Sequence, residues 1–303
     1  MTSDGRNTRN IKEVTSKGYG LINEIMNILN NISLGPHYFQ TAVLLRNSIL
    51  VNSLISNAES LYSITKKEME EICSVDRLLL LKILNLLTTT MKEYAFLELG
   101  ILLINMILKE RRLNYFHHII TRERKGMLFS FITVQWFRPT VGDWTETIKE
   151  DLKELNLPMK LEELMNIKRE TFKATTKRKI REMSLAKLID MKNQHSKMIY
   201  LDYKELKMQP YLIDKSTSIK QKKTLIRFRS HMENFHMNYK NSQQDLRCKL
   251  CFSHPDSQIL SVSCPAIKKP EYTTDTYMKI FQEDIPMTTI HMIMDVKRKR
   301  EIV

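Results

Sequence analysis

The stretch with the clearest capacity for chemistry runs from Cys248 to Cys264, C-K-L-C-F-S-H-P-D-S-Q-I-L-S-V-S-C. Three of the 4 cysteines lie in it, with His254 between them. Two residues separate Cys248 from Cys251, which lets both thiolates face one tetrahedral ion from a tight turn. With His254 and Cys264 they complete a shell of three thiolates and one imidazole. Structural zinc takes that set, and it leaves no position for a catalytic water. Pro255 and Asp256 supply a turn after the histidine, and Arg247 and Lys249 favour thiolate over thiol. Zinc held by Cys248, Cys251, His254 and Cys264 is therefore the expected cofactor. The alternative is three reduced thiols and an exposed histidine in a loop, because one C-x-x-C with an unusual second half is a weaker signal than two.

A second group of residues could bind polyanions. The chain carries a formal charge of +14 over 303 residues, which favours a nucleic acid or an acidic surface as partner. About 20 Lys and Arg against about 9 Asp and Glu fall between Lys160 and Lys240, so about +11 of the excess lies there. Lys177, Arg178, Lys179 and Arg181 follow one another on one expected helix; Lys222, Lys223, Arg227 and Arg229 do so on another. Tyr200, Tyr203, Tyr211, Phe228, Phe235 and Tyr239 interleave. Cations neutralise phosphates, while aromatic rings can stack on unpaired bases. Arg111 and Arg112, followed by Tyr115 and Phe116, form a further candidate edge, although cations also suit a helix C-terminus. Solvated helix faces and ordinary core aromatics are the competing reading for this whole group.

The elements that must position these residues read as helices. Leu, Ile, Met, Lys and Glu abound, and only 7 Gly and 8 Pro argue against the turns of an all-β fold. Residues 1–20 read as a polar tail. Apolar residues from Leu21 to Ile32 recur at helical spacing until Gly35-Pro36. A second helix is expected over Tyr38–Ser56. Thr65 with Glu68, Asp143 with Glu146, and Ser218 with Gln221 each have the spacing of a capping box. A short helix to Cys73, an apolar helix over Val75–Leu87, and helices on either side of Gly100 follow. Gln135 to Trp144 reads as a loop carrying both tryptophans. Pro158 marks a boundary, and Pro286 opens a last helix. Cys73, His117 and His118 read as structural. The organisation expected is all-α: a tail over 1–20, a helical thumb-like bundle over 21–157, a basic helical segment over 158–247, and a Cys/His knuckle with a terminal helix over 248–303.

The N-terminus lacks a signal-peptide pattern, and the longest apolar run, Ala95–Leu108, is too short to span a bilayer. A nuclear or cytoplasmic protein is expected, not secreted, with no membrane partner. Lys297-Arg298-Lys299-Arg300 resembles an import signal. No adjacent aspartates, G-x-x-x-x-G-K loop, G-x-S-x-G elbow or H-E-x-x-H occurs, so no catalytic residue is assigned.

Short motifs in a fixed order carry a resemblance. They are Ser3-Asp4-Gly5, Asn10-Ile11, Lys17-Gly18, Tyr38-Phe39, Leu45-Arg46, Asn57-Ala58-Glu59 with Tyr62, Val75-Asp76, Leu79-Leu80 and Leu97-Glu98-Leu99-Gly100. Arg111-Arg112-Leu113-Asn114-Tyr115, Gly142-Asp143-Trp144, His195-Ser196-Lys197, Leu206-Lys207-Met208-Gln209 with Tyr211-Leu212, Phe228-Arg229 and the cysteine cluster through Cys264-Pro265 follow. Together they resemble the part of a non-LTR retrotransposon reverse transcriptase that lies downstream of its catalytic palm. The resemblance implies a thumb that grips a template–primer duplex, then a basic tail whose Cys/His cluster helps hold RNA or DNA. The RNA-directed DNA polymerase activity of that family would need a palm-containing partner, since the palm's aspartates are absent. The expected function is nucleic-acid binding without catalysis by this chain alone. The alternatives are a part of an active polymerase joined to a palm, and a helical protein-interaction module.

Overall fold

The computed structural model describes residues 8–31, 35–56, 64–122, 126–138, 143–195, 200–233, 235, 247–248, 250–267 and 269–301. Ser3-Asp4-Gly5, Asn57 to Tyr62, Gly142, Ser196-Lys197, His236, Tyr239 and Lys249 lie outside them. Among the described residues the fold is all-α, with one isolated antiparallel bridge, Arg247 to Pro255. No helix of this set is long and apolar enough to cross a membrane.

The helices are α1 (Thr8–Asn31), α2 (Tyr38–Leu45), α3 (Asn52–Leu54), α4 (Lys66–Leu84), α5 (Lys92–Leu99), α6 (Ile104–Arg122) and α7 (Met127–Phe137). They continue with α8 (Trp144–Glu154), α9 (Leu161–Asn166), α10 (Arg169–Asn193), α11 (Pro210–Ile213), α12 (Ile219–Arg229), α13 (Thr274–Met278) and α14 (Met287–Glu301). Contacts divide the chain into two units: Met1–Ile25 with Leu44–Leu79 and Ile101–Lys187, and Met26–Val43 with Leu80–Gly100 and Leu188–Val303.

In the first unit, α6 to α10 enclose a core of Leu113, Phe116, Ile120, Ile132, Trp136, Ile148, Leu152, Leu161, Leu164, Phe172 and Ile180. Phe116 stacks on Trp136 with ring centroids 5.3 Å apart, and the buried His117 stacks on Phe172 at 4.1 Å. The boundary expected at Pro158 runs through this core, because Leu155 and Leu157 before it and Leu161 after it are buried together. Nor do residues 8–20 form a tail. They belong to α1, and a Cβ on Gly18 would lie 2.9 Å from both Leu54 and Val75, so glycine permits this close packing. The expected second helix contains a π-helical stretch, Arg46–Val51. It presents the buried Arg46 to Asp76 through two bonds, Nε to Oδ1 at 2.7 Å and Nη2 to Oδ2 at 2.6 Å. The helices expected on either side of Cys73 are one, α4. Trp136 belongs to α7 and Trp144 opens α8, so both tryptophans expected in a loop are helical.

Two of the three capping boxes form as their spacing predicts. Glu68 accepts from Thr65 N at 2.8 Å while Glu68 N donates to Thr65 Oγ1 at 3.2 Å. Ser218 and Gln221 exchange the corresponding pair. Asp143 is the N-cap of α8 without a side-chain cap bond; the Glu146 N–H goes to the Asp143 carbonyl, closing a tight first turn instead.

In the second unit α12 packs on α14, and α14 meets α13. Leu225, Ile226, Phe228, Tyr277, Ile280, Ile290, Met292 and Ile293 are buried there. The import-like run lies within α14. Arg300 donates to Asp256 Oδ1 at 2.5 Å and lies 4.1 Å from the Phe235 ring centroid. Lys299 donates to the Ala266 carbonyl. Lys297 donates to Thr224 Oγ1 at 3.2 Å, so three of the run's four cations are bound into the unit that carries the cysteines.

Candidate metal centre and basic face

The cysteine knuckle is built by its own backbone. Phe252 N donates to the Cys248 carbonyl at 2.8 Å and Cys248 N donates to the His254 carbonyl at 2.6 Å, closing the C-x-x-C loop. Phe252 takes a left-handed φ of 55° to make the turn. A 3₁₀ turn over Leu260–Ser263 then returns the chain to Cys264. Gln258 fixes the return by donating to the Phe228 carbonyl at 3.0 Å and meeting Tyr277 Oη at 2.9 Å.

The Sγ atoms of Cys248, Cys251 and Cys264 all lie within 4.8 Å of one another, and Cys248 to Cys264 is 3.9 Å. Tetrahedral bonds of about 2.3 Å place sulfur atoms about 3.8 Å apart, so the three thiols fit three corners of such a shell with a small contraction. They could hold a metal ion. His254, the fourth ligand expected from the sequence, is not in the group; its carbonyl closes the loop and its ring stands apart. The thiols differ in acidity. The Ser253 backbone N–H lowers the Cys251 pKa, whereas burial pushes Cys264 up to about 12. A cation among them would hold both as thiolates.

The ten basic residues proposed to meet nucleic acid separate into two sets. Arg112 and Lys109 bind the buried Asp151 at 2.5 and 2.9 Å. Lys179 donates to the Leu155 and Asn156 carbonyls at 2.8 and 2.7 Å, satisfying the end of α8. Lys222 is buried, donates to the Leu212 carbonyl at 2.9 Å, and has its pKa lowered by burial. Lys223 lies 4.6 Å from the Tyr38 ring centroid. Arg227 pairs with Glu233 at 3.5 Å, and the buried Arg229 with Glu98 at 3.0 Å. These side chains hold the fold together. Burial takes Lys222 and Arg229 out of reach of any ligand, which corrects their assignment to a binding face.

Lys177, Arg178 and Arg181 are exposed on α10, and Arg178 pairs with Glu182 at 2.7 Å. Lys173 belongs to the same expected basic helix, and the structure adds Arg169, which the run of consecutive cations concealed. Arg169, Lys173, Lys177 and Arg181 are all exposed and recur every fourth residue, so they form one ridge along α10. Helical spacing was the signal that would have found Arg169. Lys177, Arg181 and Lys173, with Arg111 of α6, all act on Glu110, whose carboxyl pKa is nonetheless raised because burial outweighs them. Arg111 also donates to Asn52 Oδ1. Cations from two helices therefore share one patch.

No protein-family model, curated protein or solved structure matches the chain.

Proposed function

We propose that this chain is a nucleic-acid-binding module of the kind found beyond the palm of non-LTR retrotransposon reverse transcriptases, gripping phosphates through the α10 ridge. The observation that carries the reading is the alignment of exposed Arg169, Lys173, Lys177 and Arg181 beside Arg111. A rise of about 1.5 Å per residue spaces the four ridge cations about 6 Å apart, close enough for several phosphates of one strand to be met at once. The spacing of the ridge specifies no base-edge readout, so the binding proposed rests on phosphate and shape.

Each neutralised duplex phosphate steepens the salt dependence by about 0.9, so four ridge contacts cost roughly a hundredfold in affinity between 50 and 200 mM salt. The combined variant Arg169→Gln, Lys173→Gln, Lys177→Gln and Arg181→Gln is expected to weaken binding across sequences and flatten that slope by about 3 to 4. Lys66→Gln with Lys67→Gln, exposed at the start of α4, should leave the slope alone. Titrations of duplex and single strand at several salt concentrations decide it. Affinity indifferent to salt, or a ridge variant that binds like the parent chain, returns the charge to plain solvation.

The cysteine group is read as structural zinc. Three thiolates supply three ligands, and His254 supplies the fourth by turning its ring inward. Zinc so held would tie residues 247–264 together. Protein purified without added metal is expected to contain about one zinc per chain. Cys251→Ser and Cys264→Ser should lose it, and His254→Ala should weaken it at least tenfold. Metal-free protein whose thermal transition does not respond to Cys251→Ser would remove zinc from the account, and unchanged zinc affinity in His254→Ala would remove His254 alone.

A further inference from the structure

Helix α7, M-L-F-S-F-I-T-V-Q-W-F, has no charged residue. Ile132 and Trp136 enter the core of the first unit. The other side carries Met127, Phe131 and Val134 at 90%, 58% and 61% exposure, flanked by Leu128 and Phe137. Ser130, Thr133 and Gln135 are the helix's polar residues, and contiguous exposed apolar surface on this scale marks an interaction site.

We propose that this face pairs with the same face of a second copy of the chain, as an antiparallel α7–α7 contact about a two-fold axis. The arrangement of the residues favours a copy of itself. Phe131 stands four residues after Met127 and three before Val134. An antiparallel partner therefore brings Phe131 against Phe131 and each Met127 against the partner's Val134, so the surface is self-complementary as a two-fold interface requires. The area is sufficient. Phe131 and Phe137 expose 58% and 63% of side chains of about 150–250 Å² each, and with Met127 at 90%, Val134 at 61% and Leu128 at 38% the patch comes to on the order of 500 Å². Two copies would remove about 1,000 Å², before flanking polar atoms are counted, which reaches the size of a specific interface. Beside Leu128 and Phe131 lies a hollow of about 160 Å³, walled also by Tyr115 and Trp144, that can admit a partner side chain. The +14 charge of each copy opposes approach, but α7 contributes none of it, and salt screens the remainder beyond about 8 Å at physiological ionic strength. Pairing should therefore tighten as salt rises, the opposite of phosphate binding.

Sedimentation equilibrium of the full chain is expected to show a monomer–dimer equilibrium at micromolar concentration. Phe131→Glu should raise the dimer Kd about 100-fold with unchanged helical circular dichroism, since the ring is exposed. Phe131→Cys should form a disulfide-linked dimer under mild oxidation, whereas Met127→Cys should behave as the parent chain does, because two Met127 positions lie well apart in this register. A chain that stays monomeric at 100 µM and high salt overturns the proposal. So does a dimer indifferent to Phe131→Glu, or cross-linking through Met127→Cys in place of Phe131→Cys.

Discussion

Arg229→Ala is expected to destabilise the second unit by about 3–5 kcal/mol, as removal of one partner from a buried ion pair does. Arg229 and Glu98 are both buried, with Nε to Oε1 at 3.0 Å. The Glu98 carboxylate also accepts from Tyr203 Oη at 2.7 Å and Tyr211 Oη at 2.6 Å. Arg229 Nη1 donates to the Gln282 carbonyl at 3.0 Å and to the Ile280 carbonyl, and its guanidinium lies 5.2 Å from the Tyr211 ring centroid. Truncation would leave one uncompensated carboxylate and the Ile280 carbonyl orphaned in the interior, and would open the part-buried Gln282 carbonyl. Glu98→Leu with Arg229→Met should recover only the part due to the uncompensated charge, because the Tyr203 and Tyr211 hydroxyls and the Ile280 carbonyl still lose their partners. Urea unfolding followed by far-ultraviolet circular dichroism measures both. Equal losses in the single and paired variants would mean that shape, not charge, decides stability here.

The same network sets an alkaline limit. Burial raises the Tyr94, Tyr203 and Tyr211 phenols well above their ordinary range, with Glu98 adding to the effect. A phenol whose folded pKa is raised contributes stability that is fully present below the unfolded pKa of about 10 and is lost as pH climbs past it. Phenolate absorbance from these three rings should therefore appear together with unfolding, later than from exposed tyrosines.

What could be read in advance depended on the range of the interaction. Helical spacing, the Thr65–Glu68 and Ser218–Gln221 boxes and the stop at Gly100 are local, and each formed. The fate of a cation is not local. Lys177 and Arg229 look alike as members of basic runs. One is exposed on a ridge, while the other meets a carboxylate 131 residues away. The same blindness hid Asp151 as the partner of Arg112 and made the C-terminal basic run resemble a free signal. Three cysteines came together because a turn and a 3₁₀ return are short-range devices. The His254 ring is not among them, although its carbonyl closes the loop; a side-chain rotamer is not set by such short-range backbone devices.

Gly100→Ala is expected to cost at least 3 kcal/mol, more than the αL penalty of roughly 1–2 kcal/mol alone. Gly100 ends α5 at φ 62°, its N–H reaching the Leu97 carbonyl at 3.3 Å. That conformation suits glycine. Space is the stronger constraint. A Cβ here would lie 1.9 Å from the Lys207 carbonyl carbon and 2.2 Å from Met208 N. Both atoms are backbone, so no side chain can swing aside. The Lys207–Met208 segment would have to move, straining the adjoining bond from Gln209 N to the Glu98 carbonyl at 3.0 Å and the Tyr211 contact with the same glutamate. The two causes separate by substitution. Asparagine tolerates left-handed backbone, so if conformation dominated, Gly100→Asn would be milder than Gly100→Ala. If the close approach dominates, Asn should be at least as harmful as Ala. Gly20→Ala is the control, in a helix with open space around it, and should be neutral or stabilising by up to about 1 kcal/mol. Urea midpoints for the three variants give the answer. A Gly100→Ala chain within about 0.5 kcal/mol of the parent, inside the range of an ordinary surface change, would show that the Lys207–Met208 backbone does not lie against this helix end.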